Sequence, residues 1–478
     1  MYEAVIGLEV HVQLKTTTKI FCGCSTEFGS QPNSQVCPVC MGLPGCLPVL
    51  NQKAFEYAIK VAIALNCRIS EFTKFDRKNY FYPDLPKNYQ ISQYDLPLGQ
   101  DGFSDIQLDG NTKRIGIKRV HLEEDAGKLI HTQDSSYVDF NRTGIALLEI
   151  VSCPDINSPQ EAYEYLVSLK KIIQYLGVSS CDMEKGILRC DANVSVKKKE
   201  ESVLGTKIEL KNMNSFRGVR DALDFEIKRQ IRLLEEAKEI IQETRLWDER
   251  RHMTDSMRTK EGAQDYRYFP EPDLPPFIIS NQLKEEIKKS LSELPQAKKA
   301  RFIQDYNLSE YDAQLLTSEK EIADFFENCF NLYPEAKIIA NWICGSLLSE
   351  LNSRNLTISE LNVTFQDLVN LIKFVQDGKI SNLVAKGVLT EMIDTGQAPH
   401  VIIQKKNLIQ ITDPRALDKV IREVIQDNSK SVKDYFDGKE NAIMFLVGQV
   451  MRKSKSKANP KAVLEILKKR LSDNYKGG

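Results

Sequence analysis

The strongest constraint on the fold is a strict alternation of side chains in residues 5–14, which read VIGLEVHVQL. Successive side chains of a β-strand point to opposite faces of a sheet, so this pattern predicts a strand with one apolar face. The apolar face carries Ile6, Leu8, Val10, Val12 and Leu14. The opposite face carries Gly7, Glu9, His11 and Gln13. A strand face with Glu9 beside His11 indicates the wall of a site that holds a metal ion.

Two later segments repeat this alternation, LRCDANVSV at 188–196 and KIELK at 207–211. Their polar faces carry Arg189, Asp191, Asn193, Ser195, Lys207, Glu209 and Lys211. For any single strand, a wet outer face of a sheet explains the pattern equally simply. The recurrence of such faces in one chain favours a shared site for metal and phosphate.

The sequence contains none of the usual phosphate-binding loops: no GxxxxGK[ST], no GxGxxG after a strand and no kinase loop set. Binding of a nucleotide would therefore depend on acidic residues and a metal ion that they hold. Further ligands occur in HLEEDAGK at 121–128 and FNRTGIALLEI at 140–150. The groups suited to Mg²⁺ or Mn²⁺ are Glu9, His11, Glu123, Glu124, Asn141, Glu149, Asp191 and Glu209. Arg142, Arg189, Lys207 and Lys211 are candidates to bind phosphate oxygens. For each carboxylate alone, a salt bridge or turn cap is the alternative.

The segment FDRKNYFYPDLPKNYQISQYDLP, at 75–97, combines six tyrosines and phenylalanines with basic residues and prolines. Such a loop can stack a nucleobase, and a core loop fixed by prolines has the same composition. The sequence leaves both interpretations open. A nucleophilic hydrolase is poorly supported, because neither GxSxG nor a Gly/Ser-rich amidase segment occurs.

The 478 residues are too many for one core, so two to four domains are expected. A formal net charge of −1 gives no global attraction for nucleic acid, so any such contact must be local. The N-terminal residues resemble a strand and not a signal peptide, and no apolar run reaches the roughly 20 residues of a membrane span. We therefore expect a cytoplasmic protein without a membrane partner.

Four of the eleven cysteines form two close pairs, Cys22 with Cys24 and Cys37 with Cys40. This spacing suits four thiolates around a structural Zn²⁺ in a knuckle at 22–40. A disulfide pair is the alternative, and it is disfavoured in a reducing compartment.

Helices are predicted at residues 54–65, 160–176 and 221–244 among the strands, and helices dominate after Leu294 and Pro295. Near the C-terminus, nine basic residues between Arg452 and Lys476 accompany only Glu465 and Asp473. The candidates for phosphate-backbone contact are Lys453, Lys455, Lys457, Lys468, Lys469 and Arg470. A solvated helix end is the alternative for this patch.

Long blocks of the chain resemble the B subunit family of aspartyl/glutamyl-tRNA amidotransferases from end to end. The matching blocks are VIGLEVHVQL, KFDRKNYFYPDLPKNYQISQ, HLEEDAGK, FNRTGIALLEIVSCPDI, LRCDANVSV, ELKNMNSF, DYRYFPEPDLPP and FLVGQVMRKSKSKANP. The resemblance implies an α+β fold, in which an antiparallel-sheet cradle domain at 1–293 precedes an all-α helical domain at 294–404. A small helical YqeY-like tail domain at 405–478 completes it.

The resemblance also implies the reaction. A carbon–nitrogen ligase with glutamine as amido donor would use ATP to phosphorylate the side-chain carboxylate of misacylated Glu-tRNA(Gln) or Asp-tRNA(Asn). Ammonia from an amidase A subunit would then form the amide, and a small C subunit would complete a heterotrimer. Catalytic Mg²⁺ would be held by Glu9, His11, Glu149 and either Glu123 or Glu124, with Glu124 assigned first. Strand alternation instead places Glu123 on the face of His121.

The resemblance assigns catalytic roles to Glu9, His11, Glu124, Glu149, Lys207 and Glu209, and cofactor contacts to Arg142, Arg189, Asp191 and Lys211. The competing hypothesis is a non-catalytic, zinc-bearing, tRNA-binding scaffold whose sheet positions a partner's active site.

Overall fold

The computed structural model describes residues 2–259, 266–409, 414–439, 441–454 and 458–475. The chain divides into two compact units, residues 1–295 and 296–478. The first unit mixes strands and helices, and the second is built of helices, so the predicted α+β class is confirmed. The three-domain division stays a prediction.

The strands of the first unit follow one another along the chain with helices between them. In chain order they are β1 (Tyr2–Gln13), β2 (Arg68–Ile69), β3 (Phe72–Thr73), β4 (Asp76–Asn79), β5 (Tyr89–Ser92), β6 (Gly99–Leu108), β7 (Asn111–Glu124), β8 (Lys128–His131), β9 (Ser136–Asp139), β10 (Ala146–Ser152), β11 (Leu188–Lys198), β12 (Ile208–Lys211), β13 (Glu243–Asp248), β14 (Met253–Thr259), β15 (Arg267–Pro270) and β16 (Phe277–Ile278). The helices are α1 (Gln52–Ala64), α2 (Pro159–Tyr175), α3 (Phe216–Glu235) and α4 (Asn281–Lys289).

The main sheet has the strand order β14-β13-β12-β11-β1-β10-β7-β6-β2 among the described residues. Neighbouring strands are antiparallel except β12 and β13, which are parallel because α3 connects them as a crossover. A smaller sheet, β15-β4-β5, contains residues of the aromatic segment at 75–97. That segment therefore consists partly of strands, and is not a single irregular loop.

The apolar face of β1 lies at the centre of the first core. Ile6, Leu8, Val10 and Val12 have no solvent exposure and belong to one hydrophobic cluster with residues of α1, α2 and α3. Burying the apolar face leaves the polar face of the same strands free to form a site. The predicted alternation of β1 is confirmed by its burial pattern.

The helix predicted at 221–244 is wrong at both ends. It begins at Phe216, where the Ser215 side chain accepts a hydrogen bond from Gly218 N, and it ends at Glu235. Ala237 then adopts a left-handed conformation with φ of 53°. The chain continues into β13, which pairs with β12 and β14.

The second unit begins with α5 and contains two hydrophobic clusters, one drawn from residues 302–403 and the other from residues 417–471. Its helices are α5 (Pro295–Tyr306), α6 (Glu310–Leu316), α7 (Lys320–Leu332), α8 (Ala336–Asn341), α9 (Leu348–Arg354), α10 (Phe365–Gln376), α11 (Asn382–Thr395), α12 (Pro399–Lys405), α13 (Pro414–Asp427), α14 (Ser429–Phe436), α15 (Asn441–Lys453) and α16 (Pro460–Tyr475). Within the described ranges, no helix is both long and apolar enough to cross a membrane.

Candidate active site

Strand register brings the predicted polar residues together on one face of the main sheet. His11 of β1 pairs with Glu149 of β10 on one side and with Arg189 of β11 on the other. Glu149 in turn pairs with His121 of β7. Paired residues in a sheet point to the same face, so four strands contribute side chains to one polar surface.

Two imidazoles and two carboxylates form the centre of this surface. Oε2 of Glu149 is 3.4 Å from Nε2 of His11 and 3.3 Å from Nε2 of His121. Glu123 approaches both imidazoles at 3.8 Å. One ligand atom each of His11, Glu123 and Glu149 lies within 4.8 Å of the others. This donor set of imidazole and carboxylate oxygen suits a divalent cation such as Mg²⁺ or Mn²⁺.

The charges of the cluster depend on one another. Burial alone would lower the pKa of His121, but the carboxylates of Glu149 and Glu123 raise it to about 9. Burial alone would raise the pKa of Glu149, but the two imidazoles hold it well below its usual range. The carboxylates therefore favour positive charge at this cluster, whether on protonated imidazoles or on a metal ion.

The structure places Glu123, and not Glu124, in this cluster. Which of the two binds the metal stays a prediction. β7 extends through Glu124, so alternation points its side chain to the opposite face. There its carboxylate forms an ion pair with Lys87 and accepts a hydrogen bond from Ile91 N at 2.9 Å.

Glu9 lies on the same polar face but outside the group of three ligand atoms. Its Oε1 accepts a hydrogen bond from Asn193 Nδ2 at 2.9 Å. Its cross-strand neighbour in β11 is Asp191, whose Oδ2 accepts a hydrogen bond from Lys211 Nζ at 2.7 Å. Glu9 thus lies between the histidine cluster and a second charged group.

The second charged group belongs to β11 and β12. Lys211 is also 3.4 Å from Glu209, and Glu209 accepts a hydrogen bond from Thr244 at 2.8 Å. Lys207 precedes β12 and is exposed, so the structure does not bring it into this group. Asp191, Glu209 and Lys211 are the predicted residues that do come together.

Arg142 and Arg189, predicted to bind phosphate, both interact with groups of their own chain. Arg189 Nη2 donates to the buried carboxylate of Asp125 at 2.7 Å. Arg142 donates to the carbonyl oxygens of Ala126 and Gly127 at 2.9 and 2.6 Å. The main role visible for both guanidinium groups is to hold the turn that follows β7.

A cavity of about 760 Å³ opens next to these arginines. Its lining includes Gln13, Lys15, Lys128, Asn141, Arg142, Lys185 and Arg189. Its volume lies within the range of about 300–1,000 Å³ that is typical of small-molecule sites. Gln13 belongs to the polar face of β1, so the cavity adjoins the same sheet surface.

Two residues that the sequence analysis did not select also face the cluster. Burial lowers the pKa of Lys78 of β4, but its electrostatic interactions with Glu123 and Glu149 outweigh burial and raise the pKa. Arg119 of β7 lies 3.8 Å from Glu149. The sequence contains a signal for Arg119: the apolar residues at 115–122 follow the spacing I-x-I-x-x-V-x-L. The two polar residues in the middle, at 118 and 119, shift the apolar alternation by one residue, which places Arg119 on the polar face.

The sulfur atoms of Cys22, Cys24, Cys37 and Cys40 all lie within 4.8 Å of one another. A hydrogen bond from the Cys22 thiol, with further contributions from the backbone of Cys37 and the Lys19 ammonium, lowers the pKa of Cys40 to about 4. Four converging thiol groups with a stabilised thiolate fit a tetrahedral metal site such as that of Zn²⁺. The chain can therefore bind a metal ion at this cluster.

The basic residues near the C-terminus differ in their contacts, since some form ion pairs and others are exposed. Arg470 donates two hydrogen bonds to Asp418 at 2.7 Å, and Lys453 forms ion pairs with Glu423 and Asp427 at 3.0 Å. Lys468 and Lys469 are exposed on α16. Lys455 and Lys457 lie outside the described residues.

Two family models match the chain. A family model described as the GatB/GatE catalytic domain matches residues 4–285, and one described as the GatB domain matches residues 324–471. The first match contains the strands that carry the polar face and the four cysteines.

Curated relatives match over almost the whole chain. The B subunit of the aspartyl/glutamyl-tRNA(Asn/Gln) amidotransferase of Caldanaerobacter subterraneus subsp. tengcongensis is 57% identical over 472 residues, which cover 98% of this chain and 99% of the relative. That of Carboxydothermus hydrogenoformans is 56% identical over 476 residues, with the same coverage. The chain therefore belongs to the GatB family, the B subunits of multi-subunit aspartyl/glutamyl-tRNA(Asn/Gln) amidotransferases.

Proposed function

We propose that this chain carries the ATP-dependent step of tRNA-dependent amidation, on Glu-tRNA(Gln), Asp-tRNA(Asn) or both. The observation that carries this proposal is the cluster of His11, Glu123 and Glu149, with Glu9 beside it on the same sheet face. The names of the relatives, which are aminoacyl-tRNA amidotransferases, support the choice of substrate.

The chemistry explains why a phosphoryl group is needed. A carboxylate resists attack by ammonia because oxide is a poor leaving group. Transfer of the γ-phosphoryl group breaks its bond to the β-phosphate oxygen and forms a bond to the substrate carboxylate oxygen, which yields ADP and an acyl phosphate. Ammonia then attacks the carbonyl carbon, phosphate leaves and one proton is lost. The product is an amide on the same tRNA.

His11, Glu123 and Glu149 would hold the catalytic Mg²⁺, with Glu9 as a nearby further carboxylate. When bound, this ion supplies positive charge that brings anionic phosphate and carboxylate groups together. Lys211, positioned by Asp191 and Glu209, is the chain's own cation at the other end of the face.

ATP is proposed to occupy the cavity of about 760 Å³, whose lining includes Arg142 and Arg189. Both arginines are fixed by the turn after β7, so their remaining N–H groups are held in place for phosphate or ribose oxygens. Lys207 is an exposed cation before β12, and its proposed role is a contact with an incoming substrate.

The complex is proposed to be a heterotrimer with an amidase A subunit, which releases ammonia from glutamine, and a small C subunit. This division of labour accounts for the lack of a Gly/Ser-rich amidase segment in the present chain. The four-cysteine cluster is proposed to hold structural Zn²⁺, because four protein ligands leave no open position for a substrate.

The test is to incubate the reconstituted complex with ATP labelled at the γ-phosphate and misacylated tRNA, without glutamine or ammonia. We expect labelled acyl phosphate on the tRNA and an equal amount of ADP, with Gln-tRNA(Gln) as the unreactive control. Failure to form labelled acyl phosphate and ADP would contradict the proposal, and so would amide formation without ATP consumption after glutamine is added. Amide formation by the partner subunits alone, with glutamine present and this chain absent, would favour the scaffold hypothesis.

The exposed lysines of α16 are proposed to bind the tRNA backbone. We expect the double variant K468E/K469E to raise KM for misacylated tRNA. The fall of log affinity with log salt should become less steep, by about one unit for each lost phosphate contact. ATP binding should stay unchanged. K430E/K433E, on two exposed lysines of α14, is the matched control. Equal effects of both double variants would show that only overall charge matters.

A further inference from the structure

Arg119 faces the carboxylate cluster from β7, two residues before His121. Its Nη2 atom is 3.8 Å from Oε1 of Glu149, whereas both imidazoles approach Oε2 of the same carboxylate. A separation of 3.8 Å is too long for a hydrogen bond. The guanidinium group is thus attracted to the cluster without being bound tightly by it.

A β-bulge directs Arg119 to this face. Val151 of β10 pairs with Arg119, but the next residue, Ser152, pairs with Ile117. Lys118 is therefore an extra residue of β7 relative to β10. Bulges occur next to active sites, where they change the direction of a side chain.

The burial of β7 shows the consequence of the bulge. Ile115 and Ile117 before it, and Val120 after it, are completely buried in the core. In a regular strand, alternation would place the side chain of Arg119 on the same face as Ile115 and Ile117, which is the core face. Because the bulge at Lys118 shifts the alternation by one residue, Arg119 instead lies on the same face as His121.

The guanidinium group of Arg119 also keeps unused donors. Its Nε atom is buried and has no hydrogen-bond partner among the described residues. A third of the side chain, 33%, remains exposed, so a ligand can reach it. A buried donor without a partner is costly, which indicates that a ligand or a water molecule completes its hydrogen bonding. Arg142 and Arg189 each already donate to their own chain, although Nε of Arg189 is also buried without a partner among the described residues.

We infer that Arg119 binds the γ-phosphoryl oxygens of ATP while this group moves to the substrate carboxylate. The inference rests on the proposed function and names a residue that contacts the reacting atoms. As the bond to the β-phosphate breaks, negative charge is shared among the phosphoryl oxygens, and a planar guanidinium group can donate to two of them. Arg119 would thereby supply a phosphoryl contact that the sequence pattern assigns to Arg142 and Arg189.

The test compares R119A and R119K with the wild-type chain, each assembled with its partner subunits. We expect ADP release in a single turnover with misacylated tRNA to be about 100-fold slower in R119A. R119K keeps the positive charge but not the planar pair of donors, so we expect ADP release to be about tenfold slower than in the wild-type chain. Affinities for ADP and for Mn²⁺ should stay within about twofold of wild type, because neither ligand contacts Arg119 in this arrangement.

R114A is the matched control. Arg114 is an arginine of the same strand, paired with Asp105 and remote from the cluster in the strand register. A wild-type rate of ADP release in R119A would overturn the inference. So would a loss of Mn²⁺ affinity as large as the loss of rate, since Arg119 would then only position Glu149. If the wild-type complex itself released no ADP, the proposed function would fail instead.

Discussion

The variant E149Q should lose phosphoryl transfer to misacylated tRNA almost completely, by about 100-fold to 1,000-fold in rate. Glu149 contacts both imidazoles and supplies one of the three ligand atoms of the proposed metal site. An amide keeps the shape of the side chain but removes the charge that attracts a cation. The measurement is single-turnover ADP release, together with Mn²⁺ affinity by equilibrium titration.

A second variant and one control make this prediction specific. H11A should lower rate and Mn²⁺ affinity in a similar way, whereas glutaminase activity of the partner amidase should persist in part. D105N is the control, because Asp105 is a carboxylate of the neighbouring strand β6 that pairs with Arg114 outside the cluster. Near-normal turnover in E149Q and H11A would exclude a metal site at these residues.

The double variant C37S/C40S should destabilise the first unit more than it changes the chemistry. A four-thiolate zinc site contributes on the order of 10 kcal/mol in small zinc-binding peptides. Loss of even half of this free energy should lower the melting temperature by about 10 °C or more, at roughly 2–4 °C per kcal/mol. Elemental analysis should find one zinc per wild-type chain and none in the variant.

C46S is the matched control for the zinc prediction. Cys46 belongs to the same region of the chain but not to the cluster of four sulfur atoms. Its replacement should leave both the zinc content and the melting temperature unchanged. Wild-type protein without zinc, in which all four cysteines react freely with an alkylating reagent, would rule out the site.

Sequence patterns predicted the architecture best where they were local. The alternation of β1 correctly predicts a buried face with Ile6 and Leu8 and a polar face with Glu9 and His11. The same alternation places Glu123 on the face of His121, and this placement is confirmed because β7 extends through Glu124. The resemblance leaves both Glu123 and Glu124 as possible metal ligands, and the structure places Glu123 beside His11 and Glu149. Which carboxylate binds the metal stays a prediction.

Predictions were less successful where a charged side chain had several possible partners. Composition cannot distinguish a guanidinium group available to a ligand from one committed to a buried acid. Arg189 is a candidate for phosphate in the sequence, and the structure adds that Asp125 occupies one of its donors. Arg119 is not a candidate in the sequence, yet it lies 3.8 Å from Glu149. The predicted helix does not extend to Thr244, because Thr244 belongs to β13 and pairs with β12. The pairing between distant strands overrides a charged sequence that is compatible with a helix.

Local patterns in the chain were sufficient to predict the strand with one polar face, the four-cysteine cluster and the order of a mixed unit before a helical one. These features depend on residues close together in the chain, where strand alternation and ligand spacing act directly. The three-dimensional arrangement was needed to show that β1 lies between β10 and β11, which brings His11 beside Glu149 and Arg189. Strand order and bulges arise from pairing between distant segments, and each pairing is selected by the burial of all apolar faces together.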